Sequence, residues 1–238
     1  LTEYPTGGAR IAQNFGAGYE GWSFTVSDDG SLYVEVGAGG GSGQLSNFTS
    51  PASVLIPGDP AHVAFSYDAA SGDIAIYVNG VDVGGTVGGI DPVNNLGATT
   101  ADVLIGYPFP FNGVMDEFRI YDHARTATEV AADAGGDTAM GTAPLVHYDF
   151  ADGTATNLGS LGSASDGILD NGLGGAALAF DGSDDFVQGD TAGIDFGNAF
   201  SIEFVVQTEM ATTGYIMTIG DTFSGGVTAN NLLFANIP

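Results

Sequence analysis

The chain has 238 residues, 44% of them apolar, enough for one large all-β domain or for one domain and part of another. Its 29 Asp and Glu stand against three Arg and no Lys, and the resulting charge of −26 excludes nucleic acid and disfavours anionic membrane surfaces as partners. With no Cys there is no disulfide or thiolate chemistry, and no apolar run reaches the roughly 18 residues a membrane helix needs. The chain opens without Met and without a signal segment, so it reads as processed or excised from a longer protein.

Period-two alternation runs through the chain. Trp22, Phe24 and Val26 share one face of a first clear strand, and Ser23, Thr25 and Ser27 share the other; Trp22 therefore reads as core. Asp29-Gly30 turns into Leu32, Val34 and Val36. HVAFSYD (62–68) brings Val63, Phe65 and Tyr67 together, and Ser71-Gly72-Asp73 turns into a strand where Ile74, Ile76 and Val78 alternate with Ala75 and Tyr77. Asn79-Gly80 is the strongest hairpin signal. ADVLIGY (101–107) is a further strand. In VMDEFRIYD the alternation puts Met115, Glu117, Arg119 and Tyr121 on one face, and Val114, Asp116, Phe118 and Ile120 on the other. ARTATEVAADA (124–134) is the one predicted helix, about two turns long. A linker follows, and the strand pattern restarts in LVHYDF (145–150), AALAFDG (176–182), DFVQG (185–189) and FSIEFVVQTE (200–209). Short strands joined by Gly, Asn and Asp turns predict an all-β antiparallel sandwich with one short helical segment.

Several of these stretches together resemble a known family. HVAFSYDAASGDIAIYVNGVDVG, followed by VLIGYPFPFNGVMDEFRIYDHARTATEV, is similar to the C-terminal half of a laminin-G-like domain, one of the concanavalin A-like lectin/glucanase jelly rolls. LVHYDFADG, ALAFDGSDDFVQG and FSIEFVVQTE resemble the N-terminal half of the same domain. The resemblance implies that residues 1–135 are the C-terminal portion of one sandwich, 136–144 a linker, and 145–238 the N-terminal portion of a second copy. LTEYPTGG (1–8) lines up with QTEMATTG (207–214), a spacing of roughly 200 residues that suits tandem domains. Residues 145–206 carry the strand types the first copy lacks, so they complete a sandwich either in cis or in a neighbouring chain. The surplus strand-like stretches at 215–234 lean toward a neighbour, and so toward self-association into head-to-tail polymers.

For chemistry, the resemblance brings glucanases into view. Their retaining members place two carboxylates on one strand, with the carboxyls about 5–5.5 Å apart. None of the seven Glu stands in such a pattern, and Glu117 directly follows Asp116, which alternation sends to opposite faces. HExxH and GxSxG are absent. The expectation is that the chain is not an enzyme. Jelly rolls of this family often hold a structural calcium, and the resemblance implies Asp116 and Asp181 as ligands, with Asp149 and Asp152 as alternatives. Tyr19, Tyr107 and Phe109, near Gly- or Pro-rich turns, are candidates for presenting rings to a ligand. His62, His123 and His147 read as packing or capping residues, without triad or zinc spacing. Asn47-Phe48-Thr49 is a glycosylation sequon. Taken together, the expected function is a non-catalytic extracellular or cell-surface adhesion module from a repeat-built protein, directed at glycans or other surface molecules. Two alternatives stand beside it: a subunit of an extracellular fibre, and the accessory carbohydrate-binding domain of a polysaccharide-degrading enzyme.

Overall fold

A computed structural model describes residues 9–15, 18–89, 96–97, 99, 101–106, 111–137, 141–169, 177–181, 185–189, 194 and 199–208. In chain order the elements are β1 (Ala9–Phe15), β2 (Glu20–Val26), β3 (Leu32–Ala38), β4 (Leu45–Thr49), β5 (Ala61–Asp68), β6 (Asp73–Val78), β7 (Val81–Asp82), β8 (Thr86–Gly89), β9 (Val103–Ile105) and β10 (Asn112–Tyr121). Then come α1 (Ala127–Ala134), β11 (Val146–Tyr148), β12 (Gly167–Leu169), β13 (Leu178–Asp181), β14 (Val187–Gly189) and β15 (Ala199–Thr208). The strands form two antiparallel sheets. One runs β12-β14-β9-β1-β2-β3-β4-β8, and the other β11-β10-β15-β5-β6-β7, with β13 also pairing β10. This is the sandwich the alternation predicts, with one α-helix among the described residues.

The core lies between the sheets. Trp22 and Phe24 from the first sheet meet Phe65, Phe200 and Phe204 from the second, with ring centroids 5.1–5.8 Å apart. Trp22 is fully buried there, as its alternation with Phe24 predicts. Hairpin chemistry works as expected at Asn79-Gly80, where both residues take positive φ, 51° and 77°. Gly80 has a second reason to be glycine: a Cβ on it would lie 2.8 Å from the Ala131 Cα, so only a bare backbone lets this turn pass under the helix.

One alternation is corrected. Met115 does not share a face with Glu117, Arg119 and Tyr121; it packs in the core with Phe118 and Ile120. The register of β10 against β15 shifts between Asp116 and Arg119, and Glu117 takes a φ of 56°. A β-bulge at this point adds one residue to β10 and reverses the phase of every side chain beyond it.

The strands of residues 145–208 pair with those of 9–121 inside the same chain. β15 lies in the middle of its sheet, between β10 and β5, with Ile202 opposite both Ile120 and Phe65. β11 and β13 share the other side of β10, and β14 adds to β9. Where the sequence leans toward donation to a neighbour, these strands here fill the chain's own sandwich. The surplus stretch at 215–234 lies outside the described residues.

Candidate functional site

Beneath α1, on the outer face of the second sheet, lies a dense cluster of buried polar side chains. Strand register brings it together. Arg119 pairs with Glu203 on one side and His147 on the other, Tyr121 pairs with Ser201, and His62 pairs with Val205. All of these face away from the core, because Phe118, Ile120, Ile202 and Phe204 face into it.

The segment after β10 folds back over this face. Thr126 caps α1 in a reciprocal box: its hydroxyl accepts from the Glu129 N–H at 3.3 Å, and the Glu129 carboxylate accepts from the Thr126 N–H at 2.8 Å. Val130 then buries against Ala64 and Tyr77, and Asp133, one turn on, points to the same side. Arg125 is the centre of the cluster. Its backbone N–H donates to Ser201 Oγ at 2.7 Å, and that hydroxyl donates to the His123 carbonyl at 3.1 Å. Arg125 Nε donates to Glu203 Oε1 at 3.2 Å, its Nη2 pairs with Asp133 Oδ2, and its Nη1 stands 3.6 Å from Glu129 Oε1. The guanidinium also sits 4.2 Å from the Tyr121 ring centroid, while the Tyr121 hydroxyl donates to Asp133 Oδ2 at 3.1 Å.

The electrostatics follow from burial. Side chains of Arg125, Asp133 and Glu203 are fully enclosed. Burial pushes the Asp133 carboxyl up to about 6; the neighbouring Glu203 carboxyl adds to the rise, and Arg125 and Tyr121 oppose it. Burial alone would raise Glu203 too. The neighbouring His62 first, then Asp133 and the charge of Arg125, outweigh it and hold Glu203 below its ordinary value. His62 Nε2 stands 3.3 Å from Glu203 Oε2, close enough for an ion pair but off the hydrogen-bond line. Tyr121 is held protonated, first by burial and then by the two neighbouring carboxylates.

A raised and a lowered carboxyl in contact are what acid–base catalysis uses. Here α1 covers both. Glycoside hydrolysis needs a sugar between its two carboxyls, whereas these both bind the Arg125 guanidinium and have no exposed surface. The chemistry this cluster performs is to fasten the segment 123–134 onto β15. Sequence reasoning missed it, although one signal was present: Glu203 interrupts the apolar run FSIEFVV in a chain with only three cations, one of them close to α1.

The other predicted residues are scattered. The Asp116 carboxyl is raised, mostly by burial and then by the charges of Glu117 and Asp149. Asp116 Oδ1 accepts from the Glu117 N–H at 2.9 Å, and Asp149 Oδ1 from the Ala151 N–H at 3.2 Å. Asp181 pairs with Asn112, four residues back along β10, so about 13 Å of strand separates its backbone from Asp116. Asp152 caps its own turn, accepting from the Thr154 N–H at 3.0 Å. Among the described residues no three His, Asp or Glu gather as a metal shell. Two carboxylates already engaged with backbone amides are a poor fit to the six to eight oxygens calcium takes. Tyr19 is half-buried in the turn before β2 with a φ of 65°, and its carbonyl accepts from the Gly39 N–H. Tyr107 and Phe109 lie outside the described residues. His147 contacts Glu117 at 2.8 Å, and His123 contacts Asp122 at 3.1 Å.

A laminin G family model, described as the concanavalin A-like lectin/glucanases superfamily, matches residues 1–131. No curated protein and no solved structure matches the chain.

Proposed function

From the premise that this chain belongs to the concanavalin A-like lectin/glucanase superfamily, we propose that it is a non-catalytic binding module directed at glycans and displayed outside the cell. The observation that carries the non-catalytic part is the sealing of Asp133 and Glu203 beneath α1, where no substrate enters. Asp116 and Asp149 each accept a backbone amide. A charge of −26 suits a protein that must stay soluble among extracellular polymers and repel anionic ones. A glycan array paired with a reducing-sugar assay tests this reading: selective binding without sugar release is expected. Hydrolysis that persists through stringent purification overturns the non-catalytic assignment, and a blank array overturns glycan recognition.

A second reading, a subunit of an extracellular fibre, draws on the position of β15. This strand arrives from beyond the linker yet fills the centre of a sheet built from residues 61–121. Exchange of residues 145–208 between copies would keep every strand pair while joining chain to chain. Light scattering and electron microscopy distinguish filaments from monomers.

A further inference from the structure

The chain holds a single Asn-x-Ser/Thr sequence, Asn47-Phe48-Thr49, and it lies on β4. Alternation divides it between the two faces of its sheet. Phe48 pairs with Val34 and packs against the core, so Asn47 and Thr49 both point to the outer face. There Asn47 stands between Glu35 and Gly88, and Thr49 between Tyr33 and Thr86. Both are partly exposed, and among the described residues no hydrogen bond reaches the carboxamide of the one or the hydroxyl of the other. Gly88 makes room, because a Cβ there would collide with the Asn47 carboxamide oxygen. The two other asparagines whose side chains are described are fixed by the fold. Asn79 accepts from the His62 N–H at 3.0 Å. Asn157 accepts from the His147 and Gly159 N–H groups at 2.9 and 2.8 Å, and it donates to the Leu145 and Gly162 carbonyls. What these two bond explains why they are asparagine. No such bond explains Asn47.

We propose that Asn47 is an acceptor of N-linked glycan. The extended strand places the Thr49 hydroxyl on the same side as the Asn47 amide, the pair of groups that the acceptor sequence requires. The donor is a sugar carried on a diphosphate, and the cell supplies the transferase. Asn47 Nδ2 bonds to C1 of the sugar as the C1–O bond to the diphosphate breaks. The diphosphate leaves with that electron pair, and Nδ2 gives up one proton to a base of the transferase. Transfer to the extended chain precedes folding, so the folded strand has only to keep a bulky, hydrated substituent at the surface. The outer face beside Gly88 does so. Asn157, nine-tenths buried and bonded through both ends of its carboxamide, could not. This inference rests on the export half of the proposed function and not on glycan recognition.

The test isolates the native protein from its source, from medium and from cells separately. Peptide N-glycosidase in heavy-oxygen water converts a glycosylated asparagine to a labelled aspartate, which peptide mass spectrometry locates. Label at position 47 of the extracellular chain is expected, with a matching loss of mass from the intact protein. Asn47→Gln and Thr49→Ala, expressed in the same source, should each abolish the modification, whereas Thr49→Ser should keep it. Because neither side chain is hydrogen-bonded, all three variants should melt with the deglycosylated native chain. An unmodified Asn47 in the extracellular chain overturns the proposal and leaves export standing. A chain confined to cells, with Asn47 bare, overturns both. Label that persists in Thr49→Ala overturns the role of the hydroxyl.

Discussion

Along β15, Phe200, Ile202, Phe204 and Val206 face the opposite sheet, while Ser201 and Glu203 face α1 and the segment leading into it. From residue 200 to 204 neither side meets water; Phe204 and Glu203 are both fully buried. Polar residues on alternate positions of an antiparallel strand ordinarily mark a solvated face. Here they mark a face covered by matched polar partners. The inner face is held by area and shape, and so tolerates any well-packed apolar substitute. The outer face is held by charge balance, and loses far more from removal of one member than from removal of all.

Four substitutions probe that contrast. The largest effect is expected on the inner face. Phe200 lies within 5.4–5.9 Å of the Trp22, Phe65 and Tyr67 rings, and Phe200→Ala should cost about 4 kcal/mol in urea unfolding. On the outer face, Arg125→Met should cost about 3 kcal/mol, because Asp133 and Glu203 are left buried without their cation. Adding Asp133→Asn and Glu203→Gln to it should recover most of that loss, an outcome no inner-face cavity permits. A triple variant as unstable as the single one would contradict charge balance as the basis of the outer face.

Acidity separates the two buried carboxyls. Asp133 has a raised pKa, so its contribution is fully present below its unfolded value near 3.8 and is lost as pH rises through about 6. Glu203 is lowered, so its contribution is present above its unfolded value near 4.5 and is lost as pH falls. The two trends oppose each other in the native protein. In Asp133→Asn only the Glu203 trend remains, and the melting temperature should fall more steeply on acidification than in the native chain. Melts from pH 3 to 7 at matched ionic strength check this, since salt also screens the other acids. The smallest effect belongs to the edge of the cover: Thr126→Ala removes the helix cap and should cost about 1 kcal/mol by thermal melt.

Much of the fold was legible residue by residue. Trp22, Phe24 and Val26, or Val63, Phe65 and Tyr67, announce their inward face because alternation within a strand is a local property. Asn79-Gly80 announces its turn because both residues tolerate positive φ. Of the candidate site, little was legible. Asp181 stands apart from Asp116, since its place is set by register with Asn112 rather than by spacing along the chain.

Local chemistry therefore settles which segments become strands, where they turn and which side of most strands is dry. It does not settle the bulge at Asp116–Arg119, which reverses the phase of β10 and depends on pairing with β15. Nor does it settle that Ser201 and Glu203 are covered, because the residue that covers them, Arg125, stands 76 and 78 positions away. Period and turn chemistry act over a few residues, whereas register and cover arise only when distant strands are laid side by side.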